Sequence, residues 1–489
     1  MTVKRAYIAF GVIIIAAILR FYELDKAPLF FDESVHTAFI ESILKGDYHY
    51  DPAFHGPLLF YMVAGVVSLL GKSEFAYRFV PAIFGVLTVL LTLKFERFMG
   101  RGAYYVALFL AVSPIIVNYS RFFRNESQIL FFTLSFVYFI FRYLKERETH
   151  HLVLASISLS LFACSKENFY PIAFLMLLFF IFDIKKFRIK DVVISCIIFF
   201  LIYSILYTNF FTDLSCITQI DEFPAVQAFR YWEHQHEIAR FGGPFWYYFP
   251  LLLLYDLPVF VLGVYIIAKW IYKRDLDNFK AFLTYWLLVN LIFYSYVQEK
   301  VPWLVVHIEL PLYLITGYGL SEIKKFRNLI LAVSFVFLLY SSIQLNIINP
   351  TNPAEPALYL PTSMDVKEFR EELKEMNASR VCVIMSAGDY WPFPCYLGDF
   401  RTYYFTKIKD SDELKRIINS YKCQVVILNS TNARLASLDY DKRELCLRSW
   451  VSYDVTPLNV LEFLIFRKPM GTVVHFNHTV YFVPPEQLG

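Results

Sequence analysis

Phe31-Asp32-Glu33-Ser34-Val35-His36 stands a few residues beyond an apolar run, Ala6 to Phe21, near the start of a polar loop, Glu23 to Glu74. Adjacent carboxylates are costly to take out of water, so this stretch marks the edge of an apolar phase. The rest of the chain agrees. A content of 57% hydrophobic and 19% aromatic residues against 18% charged is too apolar for a soluble fold of 489 residues. The expected class is an all-α polytopic membrane protein. A formal charge of +3 gives no electrostatic case for nucleic acid, so the bilayer is the partner that composition implies.

Crossing a bilayer takes roughly 17 to 25 apolar residues per helix. Candidate spans are Ala6 to Phe21, Phe75 to Leu93, Ala103 to Tyr119, Ile129 to Leu144, Leu152 to Cys164 and Phe169 to Phe182. Val192 to Phe211, Phe245 to Ala268, Ala281 to Val297, Val301 to Leu320 and Leu329 to Ile347 follow, giving about eleven. The run Pro57 to Leu70 is short and reads as an interfacial or re-entrant helix. With a cytoplasmic N-terminus, the basic clusters at Lys4/Arg5, Lys94/Arg97/Arg101, Lys145/Arg147, Lys185 to Lys190, Lys269 to Arg274 and Lys324 to Arg327 all fall on one side. That is the positive-inside pattern. The first span carries Arg20 and no small-residue cleavage site, so it reads as a retained anchor.

Three regions follow: a transmembrane domain over 1–348 with the outer loop 23–74, a proline-rich linker over 349–361, and an extracytoplasmic α/β domain over 362–489. In the last, helix-like runs (Asp365 to Met376, Ser411 to Ser420) alternate with apolar strands (Val381 to Met385, Gln424 to Leu428), a pattern that favours parallel pairing. Cys382, Cys395, Cys423 and Cys446 lie there; an oxidising compartment would allow any of three pairings, and buried thiols are the plain alternative.

By spacing alone, Asp32-Glu33 fits a general base, a metal ligand or the solvated start of an amphipathic helix, Ser34 to Leu44, with Val35, Phe39, Ile40 and Ile43 on one face. Its neighbours narrow the choice. Gly46-Asp47, Phe54-His55-Gly56-Pro57-Leu58 and Ser73-Glu74-Phe75-Ala76-Tyr77-Arg78 follow in order, and this loop resembles the first extracytoplasmic loop of type-C (GT-C) glycosyltransferases. Those are the superfamily of protein O-mannosyltransferases and lipid A aminoarabinose transferases. Further matches are Arg121-Phe122-Phe123-Arg124-Asn125-Glu126, Ser165-Lys166-Glu167-Asn168, Gln235-His236 with Arg240-Phe241, and Lys300-Val301-Pro302-Trp303 with His307. The resemblance covers roughly the first 320 residues. Within the superfamily the chain looks most like archaeal membrane proteins of protein O-mannosyltransferase type associated with lipid-linked glycan assembly or flipping, to which Asp389-Tyr390-Trp391-Pro392 in the tail is also similar.

The resemblance implies a GT-C fold and transfer of a sugar from a polyprenyl-phosphate donor to an acceptor hydroxyl of a glycolipid, lipid-linked oligosaccharide or protein glycan, at the outer face of the plasma membrane. Asp32 is then the base and Glu33 its support. One base and a single displacement give inversion at the anomeric carbon. His55, Arg121, Arg124, Lys166 and Lys300 would bind the donor phosphate, with His236, Arg240 and His307 supporting the acceptor. No cofactor is required; a divalent ion on Asp32, Glu33, His55 or His236 stays open. At Phe54-His55 the acidic residue that precedes the basic one in better-known transferases is absent. Asp256, inside a Pro-interrupted apolar segment, suits either a functional site or a helix–helix hydrogen bond, and Glu309, one to two turns below the outer surface, is expected to pair with Lys300 or His307. A noncatalytic flippase-associated or transport protein is the alternative from another class.

Overall fold

An apolar run surrounded by lipid has no water for its backbone groups and must bond within its own segment. Each of the expected spans is helical. In the computed structural model, which describes residues 3–238, 241–386 and 388–487, the helices of the N-terminal part are α1 (Val3–Phe21), α2 (Phe31–Lys45), α3 (Leu58–Leu70), α4 (Glu74–Lys94), α5 (Gly102–Val112), α6 (Pro114–Ser120), α7 (Glu126–Glu146), α8 (Thr149–Ala163) and α9 (Phe169–Phe179). They continue as α10 (Ile189–Tyr207), α11 (Pro224–Ile238), α12 (Tyr248–Tyr255), α13 (Leu257–Tyr272), α14 (Asn278–Tyr296), α15 (Val306–Glu322) and α16 (Arg327–Ile343). Among the described residues, 5 helices are long and apolar enough to cross a membrane, or up to 7 if the bent pairs α5/α6 and α12/α13 are single spans. The count by length and composition thus falls below the eleven expected: α8 and α9 have only 15 and 11 residues, and α1 contains Lys4, Arg5 and Arg20. The run after Pro57 is a helix of 13 residues, about 20 Å long and too short to cross.

The chain divides into two units, Met1–Leu24 with Phe39–Asn349, and Asp25–Ala38 with Pro350–Gly489. α2 belongs to both. In the first unit the span containing α15 is 89% buried, whereas α10 is 22% buried and turns an apolar surface outward. α15 comes close to α5 because both carry glycine at the contact: a Cβ on Gly317 would lie 2.7 Å from Val106 N, and one on Gly102 2.9 Å from Tyr318 Cα. The 63° bend between α5 and α6 follows from Ser113-Pro114, since proline has no N–H for the preceding turn. Arg20 fills the gap by donating to the freed carbonyls of Leu110 (3.0 Å) and Ala111 (3.2 Å). Leu257-Pro258 makes the 110° break between α12 and α13 in the same way.

The second unit is an α/β layer built on a five-stranded sheet, order β2-β1-β3-β5-β4, from β1 (Arg380–Ile384), β2 (Arg401–Phe405), β3 (Val425–Leu428), β4 (Asp441–Tyr453) and β5 (Gly471–Phe482). Its helices are α17 (Asp365–Glu375), α18 (Ser411–Tyr421) and α19 (Pro457–Phe466). β1 pairs parallel with β2 and β3, as the alternation of helices and strands predicts; β3/β5 and β4/β5 are antiparallel, because β4 and β5 are consecutive strands that return on each other. Asp410 caps α18 by accepting from Glu413 N at 2.8 Å. Leu414 and Ile418 of α18 then pack on Cys382, Ile384, Val426 and Leu428.

Among the four tail cysteines the structure links Cys382–Cys423, both buried, with Cα atoms 5.8 Å apart and a sequence separation of 41; Cys395 and Cys446 stand outside this linkage. Cross-linking a loop of 41 is worth about 4 kcal/mol by loop entropy. Replacing both cysteines by Ser should therefore lower the urea midpoint at which the C-terminal unit becomes protease-sensitive. Reduced wild-type protein should behave like the variant, and equal midpoints for variant and oxidised wild type would contradict the linkage.

Candidate active site

Asp32 and Glu33 occupy the first turn of α2, where backbone N–H groups have no helical partner. Glu33 turns back and accepts from Phe30 N at 2.8 Å, a buried cap that fixes the chain's entry into the helix. The segment 25–38 is fastened to the C-terminal part of its unit through main chain and side chains alike. Leu29 N donates to Tyr396 Oη (2.7 Å), Leu29 O accepts from Thr362 Oγ1 (3.0 Å), and Lys367 Nζ reaches Asp25 O (2.6 Å). Thr37 Oγ1 lies 3.3 Å from Cys395 Sγ.

Arg448 of β4 completes this side. Its guanidinium lies 4.8 Å from the Phe31 ring centroid and donates to Trp391 O at 2.6 Å. Burial pulls its pKa down, while the negative charges of Asp389 and Asp32 pull it back up. The tail motif Asp389-Tyr390-Trp391-Pro392 thus helps to hold the cation that interacts with Asp32.

Arg121, Arg124, Lys166 and Lys300 lie in the first unit and sort into two kinds. Arg121 donates to the carbonyls of Leu19 (3.0 Å), Tyr22 (2.9 Å) and Glu23 (3.0 Å) at the end of α1. Lys300 Nζ donates to the carbonyls of Tyr294 (2.9 Å), Ser295 (2.6 Å) and Val297 (2.6 Å) at the end of α14. Both cap helix C-termini, where unpaired carbonyls and the negative end of the dipole favour a cation.

Arg124 and Lys166 are the second kind. Glu126 receives Lys166 Nζ at 2.6 Å and Arg124 Nε at 3.3 Å, all three buried, and Arg124 lies 4.0 Å from the Trp303 ring centroid. Burial, with the like charge of Arg124, outweighs Glu126 and lowers the Lys166 pKa. Two cations thus share one carboxylate in a water-poor place.

The turn after α8 ties these groups to the others. Asn125 Nδ2 donates to Ser165 O (2.6 Å) and Asn168 Nδ2 to His307 Nε2 (2.9 Å), whose ring stacks on Tyr294 at 5.1 Å. His55, at φ 79, places Nδ1 2.9 Å from Glu167 Oε2, and Tyr50 Oη donates to the other oxygen at 3.0 Å. Gly56 allows this approach, since a Cβ there would stand 2.3 Å from Cys164 O. His236 stacks on Tyr296 at 5.6 Å and accepts from Gln298 N at 3.4 Å. Arg240 lies outside the described residues. Around the turn 165–168 the structure gathers His55, Arg124, Lys166 and His307, and it adds Glu126, Glu167, Tyr50, Asn168 and Trp303. Glu126, Glu167, Asn168 and Trp303 stand inside the quoted motifs; what marks them is the need of buried cations and imidazoles for polar partners. Among the described residues no group of three or more His, Cys, Asp or Glu side chains is placed to hold a metal ion. Asp32 and Glu33 stand in one unit, and His55 and His236 in the other.

Residues 54–207 match the family model described as dolichyl-phosphate-mannose-protein mannosyltransferase. That stretch contains His55, Arg124 and Lys166 but neither Asp32 nor Lys300. An undecaprenyl phosphate-alpha-4-amino-4-deoxy-L-arabinose arabinosyl transferase of Pseudomonas fluorescens is 36% identical over 107 residues, 20% of this chain and 19% of that one. Its counterpart from Pseudomonas aeruginosa is 33% identical over 108 residues, again 20% and 19%. The matched stretch thus spans about a fifth of these relatives. Among solved structures, ArnT from Cupriavidus metallidurans bound to undecaprenyl phosphate aligns over 98% of both chains with TM-score 0.63 and 12% identity. The archaeal oligosaccharyltransferase AglB from Archaeoglobus fulgidus, in complex with an inhibitory peptide and a dolichol-phosphate, aligns over 87% of this chain and 69% of its own with TM-score 0.54 and 12% identity.

Removing the shared carboxylate should be severe. Glu126→Gln leaves Arg124 and Lys166 buried without their common counter-charge and is expected to cost about 3–5 kcal/mol, read by thermal unfolding in detergent; in a Lys166→Met background the loss should shrink, and additive losses would contradict the shared pair. Glu167 gives a pH test. Burial pushes its carboxyl up to about 8 from an ordinary 4.5, so the folded chain holds this proton more tightly than the unfolded one. Its contribution to stability falls as pH rises between those values and is flat outside them. Glu167→Gln should remove that slope, and an unchanged slope would contradict the assignment. With this geometry and these alignments, the chain has the fold of ArnT and AglB, and one third of its length matches a transferase family model.

Proposed function

We propose that the chain is a membrane glycosyltransferase that takes a sugar from a polyprenyl-phosphate-linked donor and passes it to an acceptor hydroxyl at the outer face of the plasma membrane. The carrying observation is the carboxylate pair at the start of α2, held within the second unit through Leu29 and Phe31, with Glu33 capping Phe30 N. In the reaction the acceptor O–H gives its proton to the Asp32 carboxylate while the oxygen attacks the anomeric carbon. The bond from that carbon to the phosphate oxygen breaks, and polyprenyl phosphate leaves with the electron pair. One displacement inverts the anomeric centre.

Charge that develops on the departing phosphate is stabilised best by fixed cations in a water-poor place. Arg124 and Lys166 meet that requirement, because together they carry one more charge than Glu126 cancels. Lys300 and Arg121 spend donors on helix carbonyls and act by holding the turns in place. Asn168 and His55 supply polar groups for the donor, and His236, Arg240 and His307 for the acceptor. No step is routed through a metal ion. The Cys382–Cys423 cross-link fits an oxidising compartment. With the basic clusters on the opposite side, it supports a cytoplasmic N-terminus and an outer C-terminal unit. The acceptor is a glycolipid, a lipid-linked oligosaccharide or a protein glycan, which agrees with the resemblance to proteins of lipid-linked glycan assembly.

The test is transfer of radiolabelled sugar from a panel of polyprenyl-phosphate sugars in reconstituted vesicles. Asp32→Asn should lower transfer about 10²–10⁴-fold with the fold retained, and the product should be inverted. Retained configuration would overturn the mechanism. Absence of transfer by the intact chain across the panel would overturn the enzyme reading in favour of a noncatalytic, transport-associated protein. Arg448→Ala should lower transfer with the fold retained, since the guanidinium holds Phe31 and the Trp391 carbonyl beside Asp32; Arg448→Lys should lower it less. Unchanged transfer by Arg448→Ala would reduce Arg448 to packing.

A further inference from the structure

β4 and β5 outrun their sheet. β3 pairs only with Thr479–Phe482 of β5, whereas β4 and β5 stay paired out to Tyr453 and Gly471. Ser449 N still bonds Pro361 O at 3.4 Å. Beyond it, Trp450–Tyr453 and Gly471–Val474 form a two-stranded ribbon with no third strand among the described residues. An isolated two-stranded ribbon is marginal in water, and this one carries apolar side chains on its exposed face. Trp450 pairs with Val474, and its ring lies 6.1 Å from that of Phe476.

α19 sits at the ribbon's tip, capped by a reciprocal pair between Thr456 and Asn459. Leu458, Leu461 and Ile465 recur at helical spacing on one face, and Phe463 on another is buried. The charge on the outward face, Glu462, is met by Lys468 at 3.2 Å. Leu458, Leu461 and Ile465 are 70%, 53% and 49% exposed, and Trp450 and Phe476 are each 46% exposed. Among the described residues, helix and ribbon thus both present aliphatic and aromatic side chains at the surface.

We propose that this surface, the face of α19 with Trp450, Val474 and Phe476, rests in the headgroup region of a lipid bilayer. Two observations select lipid. The unit is tied to the membrane-spanning one at three chain crossings, after Leu24, Ala38 and Asn349, and the last follows the end of a candidate span, Arg327–Ile348, with only Asn349 between. A bilayer is therefore held at high effective concentration beside it. The mixture is also that of an interfacial element: aromatic rings around aliphatic residues, with ionic groups at the edge. The inference holds whether or not the chain transfers sugar.

The test uses the full chain with Cys196→Ser, carrying an environment-sensitive fluorophore at Leu461→Cys or Leu458→Cys, both exposed positions. The chain is reconstituted in phosphatidylcholine–phosphatidylglycerol vesicles. A probe at Lys415→Cys on α18 is the aqueous reference, and the Cys196→Ser parent corrects for labelling of other thiols. Docking predicts that shallow doxyl lipids quench the α19 probes several-fold more than the reference, and that iodide quenches them several-fold less. Equal quenching of both positions by iodide would overturn the proposal. So would energy transfer between labelled copies without doxyl-lipid quenching, which would assign the surface to a second copy of this chain.

Discussion

Leu29 is gripped at both of its backbone groups, by Tyr396 through N–H and by Thr362 through C=O, and this grip governs what Asp32 and Glu33 can do. An outer loop without it would leave the carboxylates on a frayed helix start. With it, Phe30 is set so that Glu33 can cap its N–H, Phe31 is set against Arg448, and Ser34 and Thr37 face Cys395. The C-terminal unit is therefore part of the carboxylate site, since residues more than 300 positions away in sequence hold the segment that carries it. Because α2 runs from one unit into the other, the pair is also continuous in chain with the membrane helices.

The buried cations named in the first unit obey one rule. In surroundings too apolar to solvate them, each ends on fixed oxygens. Where a helix stops, those oxygens are carbonyls, and Arg20, Arg121 and Lys300 act as caps. Where two cations come from different turns, they are carboxylate oxygens, and Glu126 gathers Arg124 and Lys166. Capping keeps the turns rigid; the ion pair concentrates positive charge. The preorganisation that electrostatic catalysis requires arises from the same demand that stabilises the fold.

Much of this was legible in the sequence. Runs of apolar residues marked the helices, and the alternation around Val381 and Gln424 marked the parallel core of the second unit, because hydrophobic periodicity reports local structure directly. The prolines after Ser113 and Leu257 lie inside runs read as single spans, Ala103 to Tyr119 and Phe245 to Ala268, because the size of each bend depends on packing. The roles of Arg121 and Arg124 could not be separated, since three residues apart they differ only in whether carbonyls or a carboxylate happen to lie within reach. Glu126 and Glu167 stood in the quoted motifs, and only their burial against Lys166 and His55 gives them weight. The assignment of 25–38 to the C-terminal unit was illegible because it rests on contacts across more than 300 residues. The antiparallel β4–β5 pair, built from less regular runs, was hidden for a similar reason.

The central claim is that the C-terminal unit holds the segment bearing Asp32 and Glu33. Thr37 Oγ1 lies 3.3 Å from Cys395 Sγ, so Thr37→Cys should place two sulfurs within bonding reach. The measurement is mass-spectrometric mapping of disulfide-linked peptides after mild oxidation of the intact chain in membranes. The account predicts a 37–395 cross-link alongside Cys382–Cys423. Formation of Cys382–Cys423 with residue 37 left as a free thiol would contradict it.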